Sequence, residues 1–501
     1  MGKRASRRGN RGALENKISP RRGPLQSDRH GRRGGNSQFL RTAKSRDSRP
    51  SDRFLQGRGR DGRGLDKRSV RPVKRISVVT LGCKVNQYDT AALLNHLPSS
   101  EFVKNEKFDE PAEVYVIDTC TVTHKADSEA RNYIYRAKRS NPRGVVIVTG
   151  CYAQVSPEQL SAMEEVDYVI GNSHKFSSLL GVIRRGKVQS EPKVLISDIF
   201  KEKKRKFDTP DIRFFPDRTR AFLKVQDGCN YACTFCVIPR ARGRSRSLEA
   251  NEVISRLRTL AHAGYREVVL TGVHLASYGR DIGSDLVGLL EKIEESGAVR
   301  RIRLSSLDPA DTTEELINFV SESEIVCPSF HVALQSGDRE VLRKMRRRYS
   351  PEQFLECTDT IRSVLPEASI GTDIMVGFPG ETQEQFENSR DVAAASELTY
   401  FHVFPYSIRK MTPAANMKDQ ISPQVKKERA AELRALGKTK KENFYRTFIG
   451  KTLDAIVESK SNCTTENYIH VKLTEGAIDT GTEIKVKIED VRNEVAYAIA
   501  V

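Results

Sequence analysis

The chain has 501 residues, 38% of them hydrophobic and 30% charged, a formal net charge of +19 and nine cysteines. No run approaches the ~18 consecutive apolar residues of a membrane span, and no apolar stretch follows the basic N-terminus as in a secretory signal, so a cytoplasmic protein without a membrane partner is expected. An odd number of scattered cysteines argues against a disulfide framework and for a reducing compartment, and the length admits two or three domains.

The charge is concentrated at one end. Residues 1–75 hold 24 Lys/Arg against six Asp/Glu, whereas the remaining 426 residues hold 60 basic and 59 acidic side chains. A basic surface on the body must therefore be a local patch. Residues 1–74 are rich in Arg and Gly, as in Arg7-Arg8-Gly9-Asn10-Arg11-Gly12, and have too few apolar side chains to offset the entropy of ordering. They are expected to be disordered. Such a segment either binds RNA through phosphate charge or is a solvated tail.

From residue 75 to about 187 strand and helix signals alternate, which predicts an open parallel α/β domain. Three apolar, β-branched runs at 76–81, 114–117 and 145–148 are each followed within a few residues by a cysteine: Cys83, Cys120 and Cys151. A fourth strand is expected at 166–170. In a parallel sheet the carboxyl ends of the strands share one edge, where ligands bind. Cysteines far apart in sequence would then meet as a three-thiolate site, although each alone could be a small core residue. Residues 188–215, with Lys201-Glu202-Lys203-Lys204-Arg205-Lys206, read as a polar linker.

The block 216–445 repeats the alternation, with strands expected at 221–225, 267–271, 301–304, 330–334, 370–376 and 401–404. Six such units predict a parallel (β/α)6 sheet short of a closed barrel. After the first strand comes Asp227-Gly228-Cys229-Asn230-Tyr231-Ala232-Cys233-Thr234-Phe235-Cys236. A C-x3-C-x2-C run can occupy three corners of a four-iron cluster and leave one iron open for a ligand. Half of a zinc site is the alternative, weakened because no second pair follows at zinc-finger distance. Polar or Gly-rich turns follow the other strands, including Thr271-Gly272-Val273-His274, Gln335-Ser336-Gly337 and Gly377-Phe378-Pro379-Gly380-Glu381. His274 could carry a proton or be a plain loop residue. Arg240, Arg242, Arg244 and Arg246 could contact phosphate or substrate, or form ion pairs that hold the loop.

A charged helix at 426–445 precedes short strands at 453–457, 468–473, 482–488 and 495–499. That pattern suits a small β-barrel of a type common among RNA-binding modules, or a capping domain without RNA contact. Cys327, Cys357 and Cys463 read as incidental, with Cys357 in a helix and Cys463 in a polar turn.

The cysteine run with Phe235 before its last thiol resembles the signature of radical S-adenosylmethionine (SAM) enzymes. Leu81-Gly82-Cys83-Lys84-Val85-Asn86, Asp118-Thr119-Cys120-Thr121-Val122-Thr123 and Thr149-Gly150-Cys151-Tyr152-Ala153-Gln154 resemble the cluster-binding segments of the methylthiotransferases. The resemblance spans 75–501. It implies two 4Fe-4S clusters: an auxiliary one on Cys83, Cys120 and Cys151, and a SAM-binding one on Cys229, Cys233 and Cys236, with Phe235 near the adenine. It also implies a radical SAM core at 216–445 and a TRAM-like RNA-binding barrel at 446–501. Residues 81–90 look most like the branch that methylthiolates C2 of threonylcarbamoyladenosine at tRNA position 37. SAM would serve as radical source and methyl donor, with an electron donor and a sulfur source as unidentified partners. The isopentenyladenosine and ribosomal-protein branches are the nearer alternatives, and a non-catalytic, zinc-containing RNA-binding protein the distant one.

Overall fold

The β-branched runs form strands because they are shielded on both faces. In the computed structural model, which describes residues 73–188, 193–201, 207–215 and 218–501, the first domain is a six-stranded parallel sheet. Its strands are β1 (Lys74–Thr80), β2 (Phe102–Lys104), β3 (Val114–Thr119), β4 (Val145–Gly150), β5 (Tyr168–Gly171) and β6 (Val194–Leu195). Their order is β2-β1-β3-β4-β5-β6. Every residue of the central β3 is buried, as expected where helices cover both faces. The helix His124–Ser140 is started by Thr123, whose side chain accepts from the Ala126 amide, and ends on Lys138 and Arg139, which suit its dipole.

The expected tail lies outside the described residues as far as residue 72, and Lys74 already belongs to β1. The segment 188–215 is not a plain linker where it is described. It supplies the edge strand β6 and buries Ile199, Ile212 and Phe215. Two residues of strand and isolated apolar anchors leave no periodic signal, so composition alone reads as linker.

The second domain contains β7 (Ala221–Lys224), β8 (Gln226–Asp227), β9 (Arg246–Ser247), β10 (Glu267–Thr271), β11 (Arg301–Leu304), β12 (Ser329–His331), β13 (Ser369–Val376) and β14 (Tyr400–Pro405). The six longer strands are parallel but split into two three-stranded sheets, β7-β10-β11 and β12-β13-β14. Isolated bridges from Ile302 to Val326 and from Leu307 to Val332 join the halves into one open barrel wall. Helices with capping boxes, Ser350 with Gln353 and Thr382 with Gln385, cover its outside.

The two domains share a core. The helix Lys84–Asn95, which follows β1, buries Tyr88, Ala91 and Ala92 against β7 and β10 residues such as Leu223 and Leu270. Full burial of Tyr88 alone contributes about 2 kcal/mol. The described residues fall in one compact unit.

The long helix Pro423–Arg446 packs on β14 and leads to a closed barrel of β15 (Thr452–Ser459), β16 (Asn462–Thr465), β17 (His470–Leu473), β18 (Glu483–Arg492) and β19 (Val495–Ala500). One more strand is present than the sequence suggested. Cys463 lies in it, buried, rather than in a polar turn. Arg303 donates to the carbonyls of Glu466 and Thr465 at 2.8 and 3.1 Å and is itself held by Glu267, which fixes this barrel on β11. No helix among the described residues is long and apolar enough to cross a membrane.

Candidate active site

The first three cysteines follow β1, β3 and β4, which are neighbours in the sheet. Cys83 caps the helix Lys84–Asn95, Cys120 directly follows β3, and Cys151 opens the helix Cys151–Val155. Parallel pairing therefore brings them to one edge. The approach is close: a Cβ on Gly82, at φ +95, would sit 2.5 Å from the Cys120 Cβ. Only glycine lets the Cys83 loop pass there. Burial pushes the Cys120 thiol up to about 12, and the Cys151 and Cys83 sulfurs add to the rise. Burial also raises Cys151, against the pull of the nearby Arg242 guanidinium. The Asn172 amide donates to the Cys151 sulfur at 3.6 Å.

The second trio follows β7 and β8. A Cβ on Gly228, at φ +76, would lie 2.1 Å from the Arg244 carbonyl oxygen, so glycine is required where the loop crosses itself. The Cys229 amide donates to the Gly243 carbonyl, and Thr234 is tied to Lys344, Met345 and Ala414, which pins the run at both ends. Cys229, Cys233 and Cys236 line one cavity of about 540 Å³ with Arg240, Arg244 and Arg346 among its other walls. Arg347 donates to the Cys233 sulfur at 3.3 Å, and the Tyr231 amide to that of Cys229 at 3.4 Å. Burial raises Cys233, and pushes Cys236 up to about 12. Phe235 packs against an apolar group of Met345, Phe378 and Tyr406, and so braces the run against the ends of β13 and β14.

Both trios fit an iron-sulfur cluster bound through thiolates. Within each, the sulfurs lie near enough to raise one another's pKa, and cationic or amide donors aim at them, as the negative sulfurs of a cluster need. Among the described residues no three His, Cys, Asp or Glu side chains converge on a single ion position. Thiols that each bind a different iron need not converge. Clusters bind thiolates, so a thiol that is protonated in the free protein gives up its proton on binding.

The arginine run divides by position. Arg240 and Arg244 line the cavity, whereas Arg242 and Arg246 are buried in ion pairs. Arg242 reaches Asp89 at 3.1 Å and Asp227 at 3.0 Å and also donates to Asn86, while Arg246 meets Asp227 at 2.9 Å. Lys224 completes the set at 2.5 Å from Asp89, and Lys175 bonds Asp118 at 2.6 Å. Four buried cations thus face three buried carboxylates across the domain boundary. Arg242 belongs to the helix Ile238–Arg242, just after Cys236, yet its charge is felt by Cys151 and Cys83. Its Nε has no hydrogen-bond partner. This link between the trios was not legible in the sequence.

His274 sits beside the second trio. Its Nε2 is 3.2 Å from Asp311, which also accepts from Tyr231 at 2.6 Å, and its ring packs 4.5 Å from that of Tyr231. Burial lowers its pKa, but Asp311 and Cys229 outweigh this and raise it to about 9. Cys327 and Cys357 are buried away from both trios.

Comparison with known proteins identifies the family. Residues 223–393 match the model of the Radical SAM superfamily, and residues 75–171 match that of Uncharacterized protein family UPF0004. The threonylcarbamoyladenosine tRNA methylthiotransferase of Aquifex aeolicus is 41% identical over 415 residues, 83% of this chain and 100% of that one. That of Bacillus subtilis is 39% identical over 424 residues, 82% and 93% of the two chains. The tRNA-2-methylthio-N(6)-dimethylallyladenosine synthase of Pelotomaculum thermopropionicum is 31% identical over 402 residues, 78% and 88% of the two. The radical SAM methyltransferase TsrM of Kitasatospora setae shares the fold at a TM-score of 0.51 and 16% identity, over 69% of this chain and 77% of that one. With the first cysteine trio inside the region 75–171, the second inside 223–393, and relatives aligned over four-fifths of its length, the chain belongs to the radical SAM methylthiotransferases.

Proposed function

We propose that this enzyme replaces the C2 hydrogen of N6-threonylcarbamoyladenosine at position 37 of tRNA with a methylthio group, in the cytoplasm. The two thiol trios carried on one fused core are the observation that most supports it. With a cluster on Cys229, Cys233 and Cys236 and another on Cys83, Cys120 and Cys151, SAM would supply the radical that removes the unreactive C2 hydrogen and the methyl group. The sulfur atom and the electrons must come from partners. A C2–H is too weakly acidic for a side-chain base, so the chain's own task is to position rather than to deprotonate.

Several residues suit that task. Arg240, Arg244 and Arg346 line the mouth of the second trio with positive charge, matched to SAM carboxylate or RNA phosphate. The Arg242 network fixes the spacing of the trios. The closed C-terminal barrel is of a kind that holds single-stranded RNA, and an anticodon-loop base is cheaper to extrude than a paired one.

Nucleoside mass spectrometry of tRNA from a deletion strain tests the reading. We expect loss of the methylthio form of threonylcarbamoyladenosine and its return on complementation. An unchanged threonylcarbamoyladenosine profile with loss of a methylthiolated dimethylallyladenosine would move the substrate to the branch of the Pelotomaculum relative. Anaerobic reconstitution should give about eight irons per chain; zinc in their place, with no 5′-deoxyadenosine formed on reduction, would end the enzyme reading.

A further inference from the structure

We propose that a ladder of six rings leading from the radical SAM domain to the C-terminal barrel seats the unpaired nucleotides flanking the modified base. The inference rests on the RNA-modifying function proposed above and assigns residues to its substrate path. Strand alternation sets up the ladder. Along β14, Phe401 and Val403 turn toward the long helix, where Phe401 lies against Gly437. Tyr400, His402 and Phe404 turn the other way, and Phe404 is 46% exposed.

The rings form one series. Phe404 and His402 have centroids 6.3 Å apart, and His402 stacks on His331 at 5.9 Å with 27° between planes. Tyr400 follows at 5.8 Å from His402, then Tyr468 at 5.7 Å and His470 at 5.1 Å. The last two belong to the closed barrel, whose own aromatic surface is otherwise sparse. The series spans two adjoining cavities, of about 660 and 220 Å³, that share Tyr400, His402 and Tyr468.

The walls carry the charge that RNA needs. Arg434, Lys438 and Lys441, on successive turns of the long helix, line the larger cavity; Glu494, its one acidic lining residue, lies 3.8 and 3.9 Å from the two lysines, and Arg434 donates to the Val403 carbonyl, so the lining keeps a net positive charge. Lys84 closes the smaller cavity opposite Asp373. It is the residue after Cys83, so the path passes beside the first trio. Phe404, His402 and His470 are exposed and the other three rings half-buried; exposed rings flanked by cations make a stacking platform for single-stranded nucleic acid, because every base has a π-face and every phosphate a negative charge. A duplex would not suit a cleft of this kind, since its bases are already stacked.

The test uses the full-length protein and an anticodon stem-loop RNA carrying 2-aminopurine beside the target adenosine. Wild-type binding should change the probe's fluorescence. Phe404→Ala and His402→Ala should each weaken binding about 5- to 150-fold at fixed salt, and His402→Phe, which keeps a ring, should restore most of it. Lys438→Gln and Lys441→Gln should instead lower the salt slope of log Kd by about one each. These positions are exposed or half-buried, and circular dichroism with iron content would verify the fold of each variant. Wild-type affinity in both alanine variants, with unchanged salt slopes in the lysine variants, would overturn the ladder while leaving the tRNA reading intact. A wild-type protein that neither binds the stem-loop nor modifies tRNA would remove both.

Discussion

Arg242 is the most informative single position, because one guanidinium ties the sequence around Cys83 to the sequence around Cys229. Substituting Arg242→Met keeps much of the side-chain volume but removes bonds to Asp89 at 3.1 Å, to Asp227 at 3.0 Å and to Asn86. Asp89 retains Lys224 and Lys175, and Asp227 retains Arg246 and Lys224, so neither carboxylate is stranded. Losing one partner of a buried, hydrogen-bonded set costs about 3–5 kcal/mol when the remaining charge is bare, and we place this case near ~3 kcal/mol because it is not. Hydrogen exchange reads the effect locally, which suits a multidomain chain without a single unfolding step. Amides of the helices Lys84–Asn95 and Cys151–Val155 should exchange about 100-fold faster, with those of β15 to β19 unchanged. Arg242→Lys, which keeps the charge but cannot bond all three partners, should fall between. Exchange within about threefold of wild type in Arg242→Met would refute the idea that this network holds the domains in register.

Cys83→Ala, Cys120→Ala or Cys151→Ala should lower reconstituted iron from about eight to about four per chain and abolish methylthiolation, while reductive release of 5′-deoxyadenosine persists. In Cys233→Ala that release should vanish; its survival would misplace the SAM cluster. Gly82→Ala forces a Cβ into Cys120 at a positive φ, so it should mimic loss of the first cluster with the second retained, as read by iron content and electron paramagnetic resonance. Burial opposes ionisation of Asp89, but Lys224, Lys175 and Arg242 bring its pKa down to about 2. A lowered carboxyl pKa stabilises above the unfolded value near 4 and loses that contribution as pH falls through the folded one. Protection of amides in the helix Lys84–Asn95 against hydrogen exchange, corrected for the intrinsic rate, should therefore decline by about 2 kcal/mol between pH 4 and pH 2, and Asp89→Asn should flatten the decline. An identical pH profile in that variant would show that Asp89 is not its source.

The parts of this protein that were legible in sequence are those whose physics is local. A β-branched run, a turn and a cysteine recur three times because each strand end must deliver one thiol to a shared edge. The C-x3-C-x2-C spacing is likewise a property of one loop. The buried charges were not legible, since Asp89, Asp118, Lys175, Lys224 and Arg242 look like ordinary surface residues until the domains close over them. The alternation of the arginine run was visible, but which members face the cavity depends on where the helix Ile238–Arg242 ends. Strands β2, β6 and β16, of three, two and four residues, are too short to display a period. The ring ladder draws on two strands of one domain, β12 and β14, and on a turn and strand β17 of the barrel, so composition of the C-terminal segment alone understates its capacity for RNA.

The helix Lys84–Asn95 belongs to two cores, and this sets a timetable for the growing polypeptide. Its inner face of Tyr88, Ala91 and Ala92 meets β7, which begins at Ala221. At ribosomal rates of ~5–20 residues per second, that partner emerges roughly 7 to 25 s later. During the delay the first sheet can form, but one helix of it has nowhere to bury a tyrosine. Severing the gene between the matched regions would make the delay permanent, leaving an apolar stripe on one fragment and its groove on the other. What reads as a domain border along the sequence is, for the ribosome and its attendant chaperones, the middle of a single folding event.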